Sequence, residues 1–201
     1  LEYCNKLSEK YGLEPVYDLS KSTQGILMIK ELGGETVYPN VANFKNTKGF
    51  RLPTEVEWEW FARGGQIAIE EGTFDYTYSG SNNIDEVAWY YENIGKFDDA
   101  STQDVGLKNS NQLGLYDCSG NVWEWCYDTI EFDENGDYKN IKNGNFYMYK
   151  AFDLSDTYRR VKGGSWGNGN KDCAIFHRGC NQAINVKEYF LYFGFRIVRT
   201  I

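Results

Sequence analysis

The chain is 201 residues long with a formal net charge of -8, a balance that repels phosphate backbones and argues against nucleic-acid binding. No stretch approaches the ~20 consecutive apolar residues of a membrane-spanning helix, so no membrane span is expected in this segment. Aromatic residues make up 17% of the chain, and 21 glycines stand against only 3 prolines, which predicts a loop-rich fold held by large rings rather than by long helices.

The opening segment, residues 1–12, predicts an amphipathic helix with Leu1, Cys4, Leu7 and Tyr11 on one stripe and Gly12 just past its end. A helix starting at the first residue suggests that the chain begins inside a domain, with any signal peptide upstream. Weak strand signals follow at 25–29 and 35–40. Residues 51–65 carry a clear helix start. Thr54 and Glu57 have the spacing of a capping box, Val56, Trp60 and Phe61 supply a buried stripe, and Gly64-Gly65 stops the helix. Residues 66–112 read as a long irregular connection, with an apolar patch at 87–91. A turn over 117–121 leads into a strand-like run at 122–126, and 129–158 reads as a polar insertion. Two further strands are expected at 160–166 and 192–199, where Phe195 and Ile197 alternate with Arg196 and Val198. The fold class is α+β, with at least two helices and several short strands in one domain over 1–201.

Five cysteines, Cys4, Cys118, Cys126, Cys173 and Cys180, leave at least one thiol unpaired, and none form a CxxC pair suggestive of zinc. For Cys126 and Cys173 a disulfide, a thiol pair and two separate structural residues all stay open. The single histidine, His177, lacks a recognisable nucleophile partner in the sequence and reads as a surface contact.

Three blocks in this order, residues 51–65, 111–128 and 160–199, resemble the formylglycine-generating-enzyme (sulfatase-modifying-factor) superfamily, with supporting likeness at 2–17. The resemblance implies a C-type lectin-like fold of the formylglycine-generating-enzyme type, part of whose N-terminal portion is missing from this chain. It also implies, for the catalytic relatives, copper bound by two cysteines. Aligned on Gly163-Gly164-Ser165, the second of that pair falls on Cys173 and the first on Asn168. An amide does not replace a soft thiolate, so copper is not expected and no catalytic residue is assigned.

The resemblance further implies a calcium site at Asp117, Gly120, Val122 and Glu124. Against it stands a structural reading, with Asp117 in an Asx-turn and Glu124 paired to a buried arginine such as Arg196. Trp58, Trp60, Trp123, Trp125 and Trp166 read as core rather than as a ligand cleft.

From Trp166 onward the chain mixes rings with small polar residues, the makeup of recognition loops. The candidate binding set is Trp166, Asn168, Asn170, Asp172, Phe176, His177, Asn181, Asn185, Tyr189 and Tyr192, and the alternative is an ordinary loop. The variable proteins of diversity-generating retroelements use the same lectin-like fold, vary this C-terminal segment and favour these residue types. The expected function is therefore a non-catalytic module binding a protein or other macromolecular ligand, with such a variable protein as its specific form. The alternatives are a copper-dependent oxidase of sulfatase cysteines and a structural component of surface machinery. A surface or secreted location is favoured over the cytoplasm.

Overall fold

The computed structural model describes residues 1–18, 28–30, 36–37, 47–95, 101–129, 158–182 and 190–201. Helix α1 (Glu2–Lys10) buries Cys4, Asn5 and Ser8, while Tyr11 stands 64% exposed. The expected stripe of Leu1, Cys4, Leu7 and Tyr11 is thus displaced. The reason is polar satisfaction. Asn5 Nδ2 donates to the Tyr17 carbonyl at 2.7 Å and its Oδ1 accepts from the Tyr17 N–H at 3.1 Å. Ser8 Oγ accepts from the Phe50 N–H at 2.8 Å, so both polar side chains are buried with partners.

Strands β1 (Tyr17–Asp18), β2 (Met28–Lys30) and β3 (Thr36–Val37) form an antiparallel sheet in that order. Helix α2 (Glu55–Ala62) opens with the expected capping box: Thr54 accepts from the Glu57 N–H while the Glu57 carboxylate accepts from the Thr54 N–H. Its buried face is not the expected one. Glu55, Trp58 and Ala62 are buried, whereas Val56 is 48% and Trp60 46% exposed. Hydrophobic spacing failed here because a carboxylate with cationic partners takes the inward position. Gly64, in the left-handed region, ends α2, but α3 (Gly65–Glu71) follows at once, and α4 (Ile84–Val87) lies within the connection read as irregular.

Strand β4 (Ala88–Trp89) pairs in parallel with β5 (Ser119–Gly120). The main sheet runs β8 (Gly179–Gln182), β7 (Tyr158–Lys162), β6 (Trp123–Thr129), β9 (Phe193–Gly194). Strand β7 is antiparallel to both neighbours and β9 is parallel to β6. The polar insertion expected over 129–158 lies outside the described residues except for its end positions, Thr129 closing β6 and Tyr158 opening β7. Two other readings are corrected. The strand expected over 192–199 shrinks to Phe193–Gly194 plus one bridge between Arg51 and Val198. Part of the expected C-terminal loop is strand β8, paired with β7 from Tyr158↔Gln182 to Val161↔Gly179.

Helix α2 packs on the β6–β7 face, where Trp58 is fully buried among Ala62, Cys118, Cys126 and Ile175. Burying one indole removes ~150–250 Å² from water, so this ring dominates the cluster. Gly120 lets β5 pass close beside β4: its φ is +74°, and a Cβ there would lie 2.3 Å from the Trp89 carbonyl oxygen. Strain and backbone collision act together at this position. Gly120→Ala is expected to cost about 3 kcal/mol or more of folding stability, read as a lowered urea midpoint with an unchanged denaturant slope.

Candidate functional site

The C-terminal surface is built by a turn that folds back on the thiol of Cys173. Gly164, at φ +74°, allows the return, since a Cβ there would meet the Cys173 Sγ at 2.7 Å. Asn168 closes the turn. Its Oδ1 accepts from the Ser165 N–H at 3.2 Å and from the Ser165 hydroxyl, and its Nδ2 donates to Asp172 at 3.4 Å. The Asn168 carbonyl accepts from the Tyr91 N–H at 3.0 Å. Asp172 in turn lies 3.5 Å from His177 Nε2. Cys173 is fully buried, and burial pushes its thiol up to about 12. A neutral buried thiol at 173 and an amide already committed to a turn at 168 do not supply the two soft thiolates that a copper ion needs.

The sequence-predicted binding residues separate into supports and outward groups. Trp166 is 9% exposed and stacks on Tyr192 with ring centroids 4.7 Å apart. The Trp166 indole also donates to the Leu191 carbonyl at 2.8 Å. Asn168 and Asp172 hold the turn, and His177 is half-buried with its ring 5.8 Å from that of Trp123. Asn181 lies within β8, its backbone registered with Arg159. Asn185 and Tyr189 fall outside the described residues. Outward stand Asn170 and Phe176, the latter 60% exposed. Sequence reasoning missed Leu191, 68% exposed, and Phe195, 48% exposed: Phe195 was placed in the strand expected over 192–199, and Leu191 was not singled out.

The suggested calcium residues are engaged otherwise. Glu124 accepts from Arg196 Nε at 3.0 Å and Nη2 at 2.7 Å, and from the Trp58 indole at 2.7 Å. Burial alone would lower the Arg196 pKa, and the Glu124 carboxylate overrides it and holds the guanidinium above its ordinary value. The reading of Glu124 as partner of Arg196 is the one the structure carries. Asp117, at φ +56°, accepts from the Gly106 N–H at 2.8 Å, while its Oδ1 is buried without a hydrogen-bond partner. Gly120 donates its N–H to the Gly163 carbonyl at 2.7 Å and pairs with β4, and Val122 packs its side chain beside Gly194. A cation bound by Glu124 would have to displace Arg196, so the Glu124 carboxylate as arranged does not fit calcium.

A second charged layer, with no sign in the hydrophobic periodicity, lies between α2 and β7. Glu55 accepts from Arg178 Nε at 2.7 Å and Nη2 at 2.6 Å, with Arg160 Nε at 3.4 Å and Lys162 Nζ at 4.0 Å. Burial would raise the Glu55 pKa, but these cations together bring it below its ordinary value. Asp128 accepts from the Glu55 N–H and is pushed up to about 6, chiefly by burial and further by the Glu55 carboxylate. The two carboxyls divide the work: the one facing cations keeps its charge to lower pH, and its neighbour holds a proton up to about pH 6.

A helix packed on a small mixed sheet, with much of the chain in loops, is the C-type lectin-like fold in the form built by formylglycine-generating enzymes. The chain belongs to the sulfatase-modifying factor family: the family description "Sulfatase-modifying factor enzyme 1-like domain" matches residues 1–201. It is 33% identical over 192 residues to chaperone protein LppX of Paenibacillus barcinonensis, covering 89% of this chain and 60% of that protein. It is 37% identical over 100 residues to the formylglycine-generating enzyme of Mycobacterium tuberculosis, covering 49% of this chain and 33% of the enzyme. Among solved structures it resembles Treponema denticola variable protein 1 with a TM-score of 0.64 and 32% identity, covering 99% of this chain and 67% of that one. The chain thus spans 60% or less of the length of these two curated relatives.

Three outcomes follow from these ionised groups. Glu124→Gln leaves Arg196 without its counter-charge and is expected to cost about 3–5 kcal/mol in chemical denaturation. Glu2→Gln, at the exposed Lys6–Glu2 pair, is expected to change nothing measurable. Asp128 binds its proton in the folded state up to about pH 6, above the ordinary value of 3.8. Its contribution to stability is therefore full below 3.8 and is lost as pH rises through about 6. Glu55, with its pKa lowered, acts with the opposite sign over a lower window. Asp128→Asn is expected to flatten the pH 4–6 part of the stability profile, measured by urea denaturation at each pH.

Proposed function

We propose that this chain is a non-catalytic binding module that presents the turn around Asn170 and Phe176, with Leu191 and Phe195, to a protein or other macromolecular ligand. The observation that carries this reading is the pairing of Cys173 and Asn168. The thiol is buried and held neutral, and the amide opposite it in the family alignment is spent on closing the turn. A copper thiolate pair would need a sulfur where Asn168 stands, whereas the turn itself carries an exposed ring.

A narrower form of the same reading is the variable protein of a diversity-generating retroelement. It is supported by the likeness to Treponema denticola variable protein 1 along 99% of this chain. It is also supported by the Asn, Tyr and Phe makeup of residues 166–192. The genome decides this form. A second copy of the 3′ coding segment, differing at adenines and lying beside a reverse-transcriptase gene, is expected, and its absence removes the narrower form alone.

The broader reading is tested chemically. Incubating the protein with Cu(I), oxygen and a sulfatase-type cysteine peptide is expected to give no aldehyde by mass spectrometry. Clear turnover would overturn the non-catalytic reading.

A further inference from the structure

Phe176 is the most exposed ring of the turn, yet the backbone on both sides of it is fixed. Before it, Ile175 is fully buried and its N–H donates to the Thr77 carbonyl at 2.9 Å. After it, two successive residues are gripped from beneath. The His177 carbonyl accepts from Lys162 Nζ at 2.8 Å, and that same ammonium lies 3.3 Å from Glu59. Arg178 then reaches down to both oxygens of Glu55. Glu55 and Glu59 stand one turn apart on α2, so a single helix face supplies both grips.

Charge balance separates this from simple neutralisation. Glu55 already faces two cations of β7, Arg160 and Lys162, whose side chains are 8% and 0% exposed. Arg178, with 45% of its side chain exposed, has water within reach of its charge, yet it spends two hydrogen bonds on the buried carboxylate. A surface arginine ordered into a two-point contact loses rotamer freedom, and what it secures in return is the position of its own backbone.

We infer that Glu55 and Glu59 are the positioning residues of the C-terminal surface: through Arg178 and Lys162 they hold the two residues that follow Phe176 and, with the Ile175 anchor before it, present its ring in one orientation. Presentation of a pre-ordered aromatic group lowers the ordering cost of binding, which is how a rigid surface gains affinity without new contacts. The inference rests on the proposed binding role of this surface for its purpose, though not for its geometry.

The test is amide hydrogen exchange on the intact chain, read by mass spectrometry over residues 174–179, so no ligand is required. Arg178→Gln and Glu59→Gln each release one grip while leaving Arg160 paired with Glu55. Each is expected to speed exchange over 174–179 roughly tenfold or more, with residues 84–90 and 123–128 unchanged. Glu55→Gln strips Arg160 as well. Where that variant still folds, combining it with Arg178→Gln is expected to add nothing to exchange over 174–179, because both changes remove the same contact. Wild-type exchange over 174–179 in both Arg178→Gln and Glu59→Gln, or a rise matched across the whole chain, overturns the inference. A failure of the binding proposal leaves this readout untouched, so the two fail separately.

Discussion

One carboxylate, that of Glu124, joins parts of the chain 66 and 72 residues away from it: the Trp58 indole on α2 and the Arg196 guanidinium beyond β9. A buried carboxylate is costly unless its oxygens are satisfied, and here both are, by three donor groups. That requirement fixes more than one contact. It draws Arg196 inward, so the C-terminal run leaves strand geometry after Gly194 and rejoins the fold only at the Arg51–Val198 bridge. It also sets the tilt of Trp58, around which Cys118, Cys126 and Ile175 pack.

How much of this was legible depends on which force dominated each element. The capping box at Thr54 and Glu57 is a local interaction between residues three apart, and it stands as the sequence reads. The two chain-order landmarks after it, the turn at 117–121 and the strand through Trp123, are local too. Where burial is decided by distant charges, periodicity misleads. Val56 and Trp60 read as the inner stripe of α2, but Glu55 turns inward because Arg160, Lys162 and Arg178 await it more than a hundred residues later. The same holds for α1, where Asn5 and Ser8 displace apolar neighbours by bonding backbone groups of Tyr17 and Phe50. Hydrophobic pattern carries no record of such partners.

The candidate site shows the same division. Glu124 was legible as a choice between calcium and arginine, and only the fold brings Arg196 to it. Asn168 and Cys173 were legible as a mismatched pair through family likeness, though the sequence did not reveal that the amide closes a turn. Asn181 was read as loop because its strand β8 exists only by pairing with β7, a partner about twenty positions earlier in the chain. Leu191 and Phe195 were missed since exposure, unlike hydrophobicity, is a property of the assembled surface.

The turn around Phe176 spends its polar groups inward. Ser165, Asn168 and Asp172 bond one another, the His177 carbonyl takes the Lys162 ammonium, and Arg178 takes Glu55. Asn170, Lys171, Phe176 and Leu191 face solvent and take no side-chain part in those bonds. Substitutions at such positions ordinarily change stability by no more than ~0.5 kcal/mol, so the scaffold imposes little restriction on what they become. A fold whose supports and whose presented residues are different residues can alter what it binds without altering how it folds. An active site has no such freedom, because the groups that react are also the groups that must be held.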